Sequence, residues 1–245
     1  NVDGQIYLFK TSSKDNKLII SATNITVEKR TERLASMGQV AAHLAHEIRN
    51  PVGSISLLAS TLLKRADERT KPIVNQIQKA TWRVERIIKA TLLFTKGLNI
   101  NAQIFDFSQL KKECEEAINF YDYSKDIKFS LEFPDGKYMG DLNLLAIVFQ
   151  NILFNAIDAI EESDDDEGEI ILSYEKTPSE HKFIVYDSGE PIKDQAIVFE
   201  PFKSSKLKGN GLGLHLCLQI VQAHKGSIEI TLNPKTFCIN LPIKE

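Results

Sequence analysis

From about Val27 onward the chain carries an apolar stripe that steps by three, four, three and four residues without a break: Leu34, Met37, Ala41, Leu44, Ile48, Pro51, Ile55, Leu58 and Leu62. This is the a/d spacing of a coiled-coil seam, and a chain that carries it must bury it against another helix. On this register His43 falls at c and His46 at f, both solvent-facing positions. A histidine on an apolar face is usually a satisfied core residue, but here the seam lies elsewhere. Helix geometry alone leaves an ordinary surface histidine open as the alternative. Pro51 stands inside the run, where it removes a backbone hydrogen bond and crowds the carbonyl of Glu47, at a cost of about 3 kcal/mol. A kink next to His46 is more readily explained by function than by stability, although a harmless bend fits the same residues.

A polar turn follows through Ala66-Asp67-Glu68-Arg69-Thr70-Lys71-Pro72, with Pro72 suited to a helix start. Beyond it Ile73, Ile77, Ala80, Val84, Ile87, Thr91 and Phe94 again alternate four and three, and Gly97 ends the pattern. So short a connection predicts antiparallel neighbours. One such hairpin, with Leu57, Leu63, Leu92 and Leu93 besides its seam, cannot bury all its apolar surface. Two copies in a four-helix bundle can, so the pattern predicts a homodimer.

Composition excludes several function classes. With 30 basic against 33 acidic residues and a net charge of -3, the chain offers no polyanion-binding surface, so no nucleic-acid partner is expected. Cys114, Cys217 and Cys238 lie far apart, without a CxxC pair, as suits buried thiols in a reducing cytosol rather than zinc ligands or disulfides. The longest uninterrupted apolar run, Leu144 to Phe149, falls far short of the roughly 20 residues a membrane span needs, so no membrane contact is expected of this chain and its predicted location is cytoplasmic. The chain opens with Asn1 and has no charged start followed by an apolar core. That pattern points away from a signal peptide and toward an upstream segment, where a sensor or anchor would lie.

Three regions are expected. Residues 1–26 read as a hairpin, with Gln5 to Lys10 and Lys17 to Thr23 as strands and Ser12 to Asn16 as the turn. These strands resemble the closing strands of a PAS-type sensor domain, and Asn24 to Arg30 is similar to the segment that leads from such a domain into a helix; a plain terminal hairpin fits equally. Residues 27–98 form the helical hairpin. Residues 99–245 alternate short strands and helices: a strand and an N-cap within Phe105 to Ser108, a helix marked by Leu110, Cys114, Ala117 and Ile118, and an alternating strand through Ile127, Phe129, Leu131 and Phe133. Strands at Glu169 to Tyr174 and Lys182 to Tyr186, a helix from Gly213 to Ala223, and strands near Ser227 to Leu232 and Thr236 to Leu241 complete a mixed sheet covered on one face by helices.

The helix predicted over Asp141 to Glu161 has two faces. Leu145, Val148, Ile152, Ala156 and Ala159 line one, while Asn151, Asn155 and Asp158 gather on another. Amide and carboxylate oxygens so placed can hold Mg²⁺ directly or through its waters; a merely hydrated face is the alternative. Asp187, in Tyr186-Asp187-Ser188-Gly189-Glu190-Pro191, projects from a strand end, where a carboxylate can accept a hydrogen bond from the exocyclic amine of a base. Gly209-Asn210-Gly211-Leu212-Gly213-Leu214 opens a helix, letting backbone N–H groups approach phosphate oxygens. It follows the loop Phe199 to Lys208, whose Lys203, Ser204, Ser205 and Lys206 suit a lid over a triphosphate. The acidic stretch Glu161 to Glu169 has consecutive aspartates that do not fit a calcium loop, and reads as a solvated connection.

Together these residues resemble the sensor histidine kinases of two-component systems over about residues 27 to 245. Ala45-His46-Glu47-Ile48-Arg49-Asn50-Pro51 resembles the phosphoacceptor box, Asn151 to Ala159 the asparagine box, Asp187-Ser188-Gly189 the first glycine box, Glu200-Pro201-Phe202 with Ser204-Ser205-Lys206 the lid, and Gly209 to Leu214 the second glycine box. The short lid and the Asn-Ala-Ile-Asp-Ala form are most similar to the nitrogen-regulation group, and the helix around His46 to flagellar sensor kinases within it. The resemblance implies an α plus α/β protein: an antiparallel hairpin forming a dimeric four-helix bundle, followed by an α/β-sandwich ATP-binding domain of the gyrase/Hsp90/histidine-kinase type. It also implies ATP and Mg²⁺ as ligands, with Asp187 selecting adenine beside Gly189, Asn151 and Asn155 holding the metal next to Asp158, and Gly209, Gly211, Leu212, Gly213, Lys203, Ser204, Ser205 and Lys206 around the phosphates. His46 becomes the phosphoacceptor, Glu47 its base, and Asn50 the residue that orients water for the reverse, phosphatase reaction. The implied partner is a response regulator, an NtrC-like transcription activator for this group. His43 is a decoy, since no acid follows it.

Two positions depart from the family pattern. Pro191 stands where a second glycine is usual, fixing φ near -65°, and Lys203 stands where an aromatic residue is common. Pro191 keeps a rival reading open, a non-catalytic dimeric adaptor with a degenerate nucleotide domain. A second rival, an ATPase that never touches histidine, leaves the placement of Glu47 and Asn50 unexplained.

Overall fold

The structure is a computed structural model that describes residues 6–14, 17–26, 47–192, 198–201 and 211–243. Strands β1 (Tyr7–Lys14) and β2 (Lys17–Asn24) pair antiparallel, with Lys14 opposite Lys17. The ladder therefore continues through Ser12 and Ser13, which turn composition had assigned to the connection. Pairing satisfies their backbone groups and overrides a weak local preference.

Helix α1 covers residues 47–63 and α2 runs Lys71–Lys96. Pro72 lies in the first turn of α2, and Gly97 ends it at φ 79°. In the connecting turn the Asp67 carboxylate accepts hydrogen bonds from the Thr70 hydroxyl and, at 2.9 Å, from the Thr70 N–H, which together hold it below the usual carboxylate range. Within one chain the two helices meet through Val52 and Ala59 on α1 and Val74, Thr81 and Ile88 on α2, all buried and one heptad apart on each helix. The residues of the long stripes lie on another face: Leu58 is 63% exposed and Ile73 62%, with Ile48, Ile55, Leu62, Ile77, Val84 and Ile87 also exposed. The apolar arc is wider than one partner helix can cover. Leu34, Met37, Ala41 and Leu44 of the predicted seam lie outside the described residues.

A short two-stranded sheet joins β3 (Gln103–Asp106) to β5 (Lys137–Gly140). The second of these, only four residues long, is missing from the sequence-based expectation. Between them come α3 (Phe107–Phe120), capped by Asp106 in a capping box with Gln109, and β4 (Asp126–Leu131). Helix α4 (Leu142–Glu161) then leads through the exposed acidic turn to β6 (Glu167–Lys176), β7 (Glu180–Asp187), α5 (Gly213–Ala223), β8 (Ser227–Leu232) and β9 (Lys235–Pro242). The main sheet has the order β4-β6-β7-β9-β8; β4 and β6 are parallel and the other pairs antiparallel. Ile170, Leu172, Phe183, Val185, Ile239 and Leu241 face inward and form one core with α3, α4 and α5. This is the mixed sheet with helices on one face that the pattern predicts.

Helix α4 is the center of that core. Among the described residues it is the one helix long and apolar enough to cross a membrane, yet 72% of the apolar stretch is buried against the sheet and its neighboring helices. Each large aliphatic side chain so buried contributes about 1.5–3 kcal/mol. Cys114 and Cys217 are buried here too, and burial pushes the Cys217 thiol up to about 12.

The start of α4 is held by a contact that joins residues far apart in sequence. Asp141 caps the helix through the Leu144 N–H and also accepts from the Asn101 N–H at 2.9 Å. The Asp141 N–H donates to Nε2 of buried His224 at 3.0 Å, while His224 Nδ1 lies 2.8 Å from the Ile220 carbonyl. These partners require the neutral ring with its proton on Nδ1. His224→Leu would leave the Asp141 N–H buried without that acceptor, and should lower stability by about 1–3 kcal/mol in urea unfolding of the full chain; His224→Gln, which keeps an acceptor, should lose less.

Candidate functional site

A cavity of about 1320 Å³ opens between α2, the polar face of α4, the end of β7 and the start of α5. Asn151, Asn155 and Asp158 line it from α4, half-buried on the face that does not pack on the sheet. Asp187 and Lys235 line one end, and Gly211 and Gly213 border it where α5 begins. The spacing of the three α4 residues follows from helix geometry, but their convergence with Asp187 and the glycines depends on the sheet.

Asp187 is the last residue of β7 and is buried. Its Oδ1 accepts the Gly189 N–H at 3.1 Å and lies 2.6 Å from Lys235 Nζ. The loop after it is pressed onto the last turn of α4: a Cβ on Gly189 would meet the Ala159 carbonyl carbon at 2.3 Å, so only glycine fits. The Glu190 N–H donates to the Ala159 carbonyl at 2.9 Å, and the Ser188 N–H to the Glu169 carbonyl at 3.1 Å. Pro191 follows these anchors at an exposed position, outside the close contact that Gly189 makes.

Helices α3 and α4 begin on aspartate caps, but α5 begins at buried Leu212 with no side-chain cap. Gly211 precedes it at φ 65°, a left-handed conformation that suits glycine. Gly213 brings the helix so near α4 that a Cβ would lie 3.3 Å from Asn151 Oδ1. The first N–H groups of a helix and its dipole both favor negative charge, so a helix start that borders a cavity can receive an anion there.

The structure thus brings Asn151, Asn155, Asp158, Asp187, Gly211 and Gly213 to one cavity, with Gly189 and Leu212 supporting it. Glu47 and Asn50 lie on the exposed face of α1 and do not line the cavity. His43, His46, Lys203, Ser204, Ser205, Lys206 and Gly209 lie outside the described residues.

Sequence reasoning missed the wall supplied by α2. The Arg86 guanidinium lies 4.4 Å from the Phe154 ring center, 5.4 Å from that of Tyr121 and 5.7 Å from that of Trp82. Tyr121 stacks on Phe154 at 4.3 Å, Trp82 meets Phe154 edge-on at 5.5 Å, and the Tyr121 hydroxyl donates to Asp158 Oδ1 at 2.8 Å. Burial pushes the Arg86 guanidinium below its ordinary range, opposed by Tyr121 and Asp158; burial and Asp158 push the Tyr121 hydroxyl up. Farther along α2, Phe94 meets His215 of α5 edge-on at 5.5 Å, and His215 Nδ1 lies 2.8 Å from the Phe199 carbonyl. The helical hairpin therefore docks on the same α4 face that forms the cavity floor. The only sequence signal was an arginine and a tryptophan one turn apart beside the seam.

Comparison with known proteins fits this geometry. Residues 36–99 match the His Kinase A (phospho-acceptor) domain, and residues 140–245 match the histidine kinase-, DNA gyrase B- and HSP90-like ATPase domain. The chain belongs to the sensor histidine kinases. It is 52% identical over 244 residues to the sensor histidine kinase FlgS of Helicobacter pylori (strain ATCC 700392 / 26695), covering 98% of this chain and 63% of FlgS. It is 29% identical over 224 residues to the sensor histidine kinase ZraS of Escherichia coli (strain K12), covering 88% of this chain and 47% of ZraS. The chain thus spans less than two thirds of the length of these relatives. The solved Acinetobacter baumannii histidine kinase AdeS shares the fold, with a TM-score of 0.51 at 20% identity over 82% of this chain and 98% of that one.

In this histidine kinase chain the Arg86 and Trp82 side chains join α2 to Phe154 of α4. Arg86→Ala removes the guanidinium from all three rings, a contact worth about 2 kcal/mol where it is desolvated. Hydrogen exchange in the segment 79–90 should then quicken while the main sheet stays protected, as mass spectrometry of the exchanging chain would read.

Proposed function

We propose that this chain is the phosphotransfer and ATP-binding portion of a cytoplasmic sensor histidine kinase that autophosphorylates His46 from ATP. The observation that carries this reading is the single cavity in which a strand-end carboxylate, two asparagines and an uncapped glycine-flanked helix start converge, on a chain whose other half presents the phosphoacceptor box. Asp187 accepts the exocyclic amine of adenine, and the first turn of α5, flanked by Gly211 and Gly213, receives phosphate oxygens. Lys203, Ser204, Ser205, Lys206 and Gly209, which lie outside the described residues, are by the family resemblance the further phosphate-binding residues. The amide oxygens of Asn151 and Asn155, one turn apart and lining the cavity beside Asp158, fit Mg²⁺, which prefers oxygen ligands and keeps several waters. When bound, the ion neutralises charge on the phosphates.

The reaction uses His46 as the neutral imidazole, because only an unprotonated ring nitrogen is nucleophilic. Its ring nitrogen attacks the γ-phosphorus in line; the N–P bond forms, the bond to the ADP oxygen breaks, and Glu47 orients the ring and takes up its proton. The protein's contribution is chiefly positioning and charge stabilisation. The phosphoryl group then passes to an aspartate of a response regulator, for which we propose an NtrC-like transcription activator of a flagellar system. Asn50, four residues after His46 in sequence and exposed on α1, orients water for dephosphorylation. Incubation with γ-labelled ATP and Mg²⁺ tests this: His46→Ala should abolish acid-labile label while His43→Ala retains it, and Asn155→Ala should also abolish it. Label surviving in His46→Ala but lost in His43→Ala would sink the assignment.

We further propose that the exposed stripe of α1 and α2 is the homodimer face of a four-helix bundle. Leu58 and Leu62 on α1, and Ile73 and Ile77 on α2, are apolar and exposed within one chain, a surplus that a second hairpin would bury. Leu58→Glu with Leu62→Glu should shift the chain toward monomer in sedimentation. A wild-type monomer at micromolar concentration would refute the bundle. The adaptor alternative is not favored, because Pro191, its one support, lies at an exposed position beyond the contacts that hold Asp187 and Gly189.

A further inference from the structure

Lys235 occupies a core position. In β9 it alternates with Phe237, Ile239 and Leu241, all buried, so its side chain takes an inward register where the pattern calls for an apolar residue; it is 7% exposed. Burying an ammonium among apolar neighbors is costly unless all its protons are taken up. Here three acceptors surround Nζ: Asp187 Oδ1 at 2.6 Å, the Gly189 carbonyl at 3.2 Å, and the Glu190 carbonyl. A lysine has three protons to donate, so the set is matched.

The topology makes this meeting possible. Tyr186 of β7 pairs with Thr236 of β9, so Asp187, the last residue of β7, comes beside Lys235, the first residue of β9. Asp187 and Lys235 both line the cavity. A buried ion pair adds little stability over apolar side chains of the same size; what it does provide is geometry. The carboxylate is held from one side by the Gly189 N–H and Lys235, and the main chain of Gly189 and Glu190, just before Pro191, is held by the same ammonium.

We propose that Lys235 is a positioning residue of the nucleobase site, clamping the Asp187 carboxylate and the 189–190 main chain so that the carboxylate meets an exocyclic amine, and thereby setting the preference for adenine over a base that carries a carbonyl there. This rests on the reading of Asp187 as the base acceptor. A fixed carboxylate accepts from the amine of adenine and repels the carbonyl of hypoxanthine. Released from Lys235, it can turn or take up a proton and donate to that carbonyl, and the discrimination falls.

The test is calorimetric binding of Mg²⁺-ATP and Mg²⁺-ITP, which share ribose and triphosphate and differ at that position of the base, to the full chain. Lys235→Met should reduce the ATP-over-ITP preference by about tenfold, chiefly through weaker ATP binding, whereas Lys235→Arg should retain most of it. If Lys235→Met weakens both nucleotides equally, or neither, Lys235 is only structural and the inference is overturned. Asp187→Asn separates the two levels. A preference unchanged by Asp187→Asn refutes Asp187 as the base acceptor, whereas one lost in Asp187→Asn but kept in Lys235→Met refutes the Lys235 role alone. Should Lys235→Met fail to unfold cooperatively, the unsubstituted chain decides: with nitrogen-labelled lysine, the Lys235 ammonium resonance should move on adding ATP and much less on adding ITP, and equal shifts would overturn the inference.

Discussion

Helix α4 must satisfy two environments at once, and the rest of the structure is arranged around that demand. Its apolar side, from Leu145 through Ile160, fills the core against the sheet, and its other side carries Asn151, Asn155 and Asp158 into a cavity. A helix so apolar is held in place by burial, and burial fixes the rotation about its axis. That rotation decides where the asparagines face. Asp141, gripped by His224 and Asn101, sets where the helix begins, and Gly189 packed on Ala159 and Ile160 sets where the loop after β7 crosses its end. The site is precise because the core beneath it is rigid.

Helix α2 meets this domain at Phe154 of α4 and His215 of α5 rather than on the sheet. Arg86 and Trp82 lie against Phe154, and Tyr121 bridges to Asp158, so one ring cluster links the hairpin to a residue one turn from Asn155. Any movement of α2 relative to α4 has to release or slide this cluster. The stripe of apolar residues facing away from it leaves the hairpin with a second face that is exposed among the described residues.

Much of the fold was legible because helices and half-buried strands have short periods. The bounds of α5 and β8 follow from their apolar spacing, Pro72 and Gly97 mark the ends of α2 for conformational reasons, and the double-faced character of α4 is visible in Asn151, Asn155 and Asp158. Strand β5 was not legible, since four residues are too few to establish an alternation and its partner β3 lies more than thirty residues away. The hairpin β1–β2 was read with too long a turn, because Ser12 and Ser13 have turn-like side chains but paired backbones.

The sequence by itself determined the succession of elements and the spacing of Asn151, Asn155 and Asp158 along one face of α4, because each rests on residues within a few turns of one another, while the meeting of that face with Asp187, Gly211 and Gly213 in one cavity came from the sheet. Only the tertiary structure decided what surrounds them. Lys235 joins Asp187 across two antiparallel strands, His224 reaches Asp141 from the far end of α5, and Arg86 reaches Phe154 from another helix. Each pair is separated by tens of residues, and no local period encodes such a contact. It exists because burial of the core fixes strand register and helix rotation, and buried charges and N–H groups then have to find partners where those elements happen to meet.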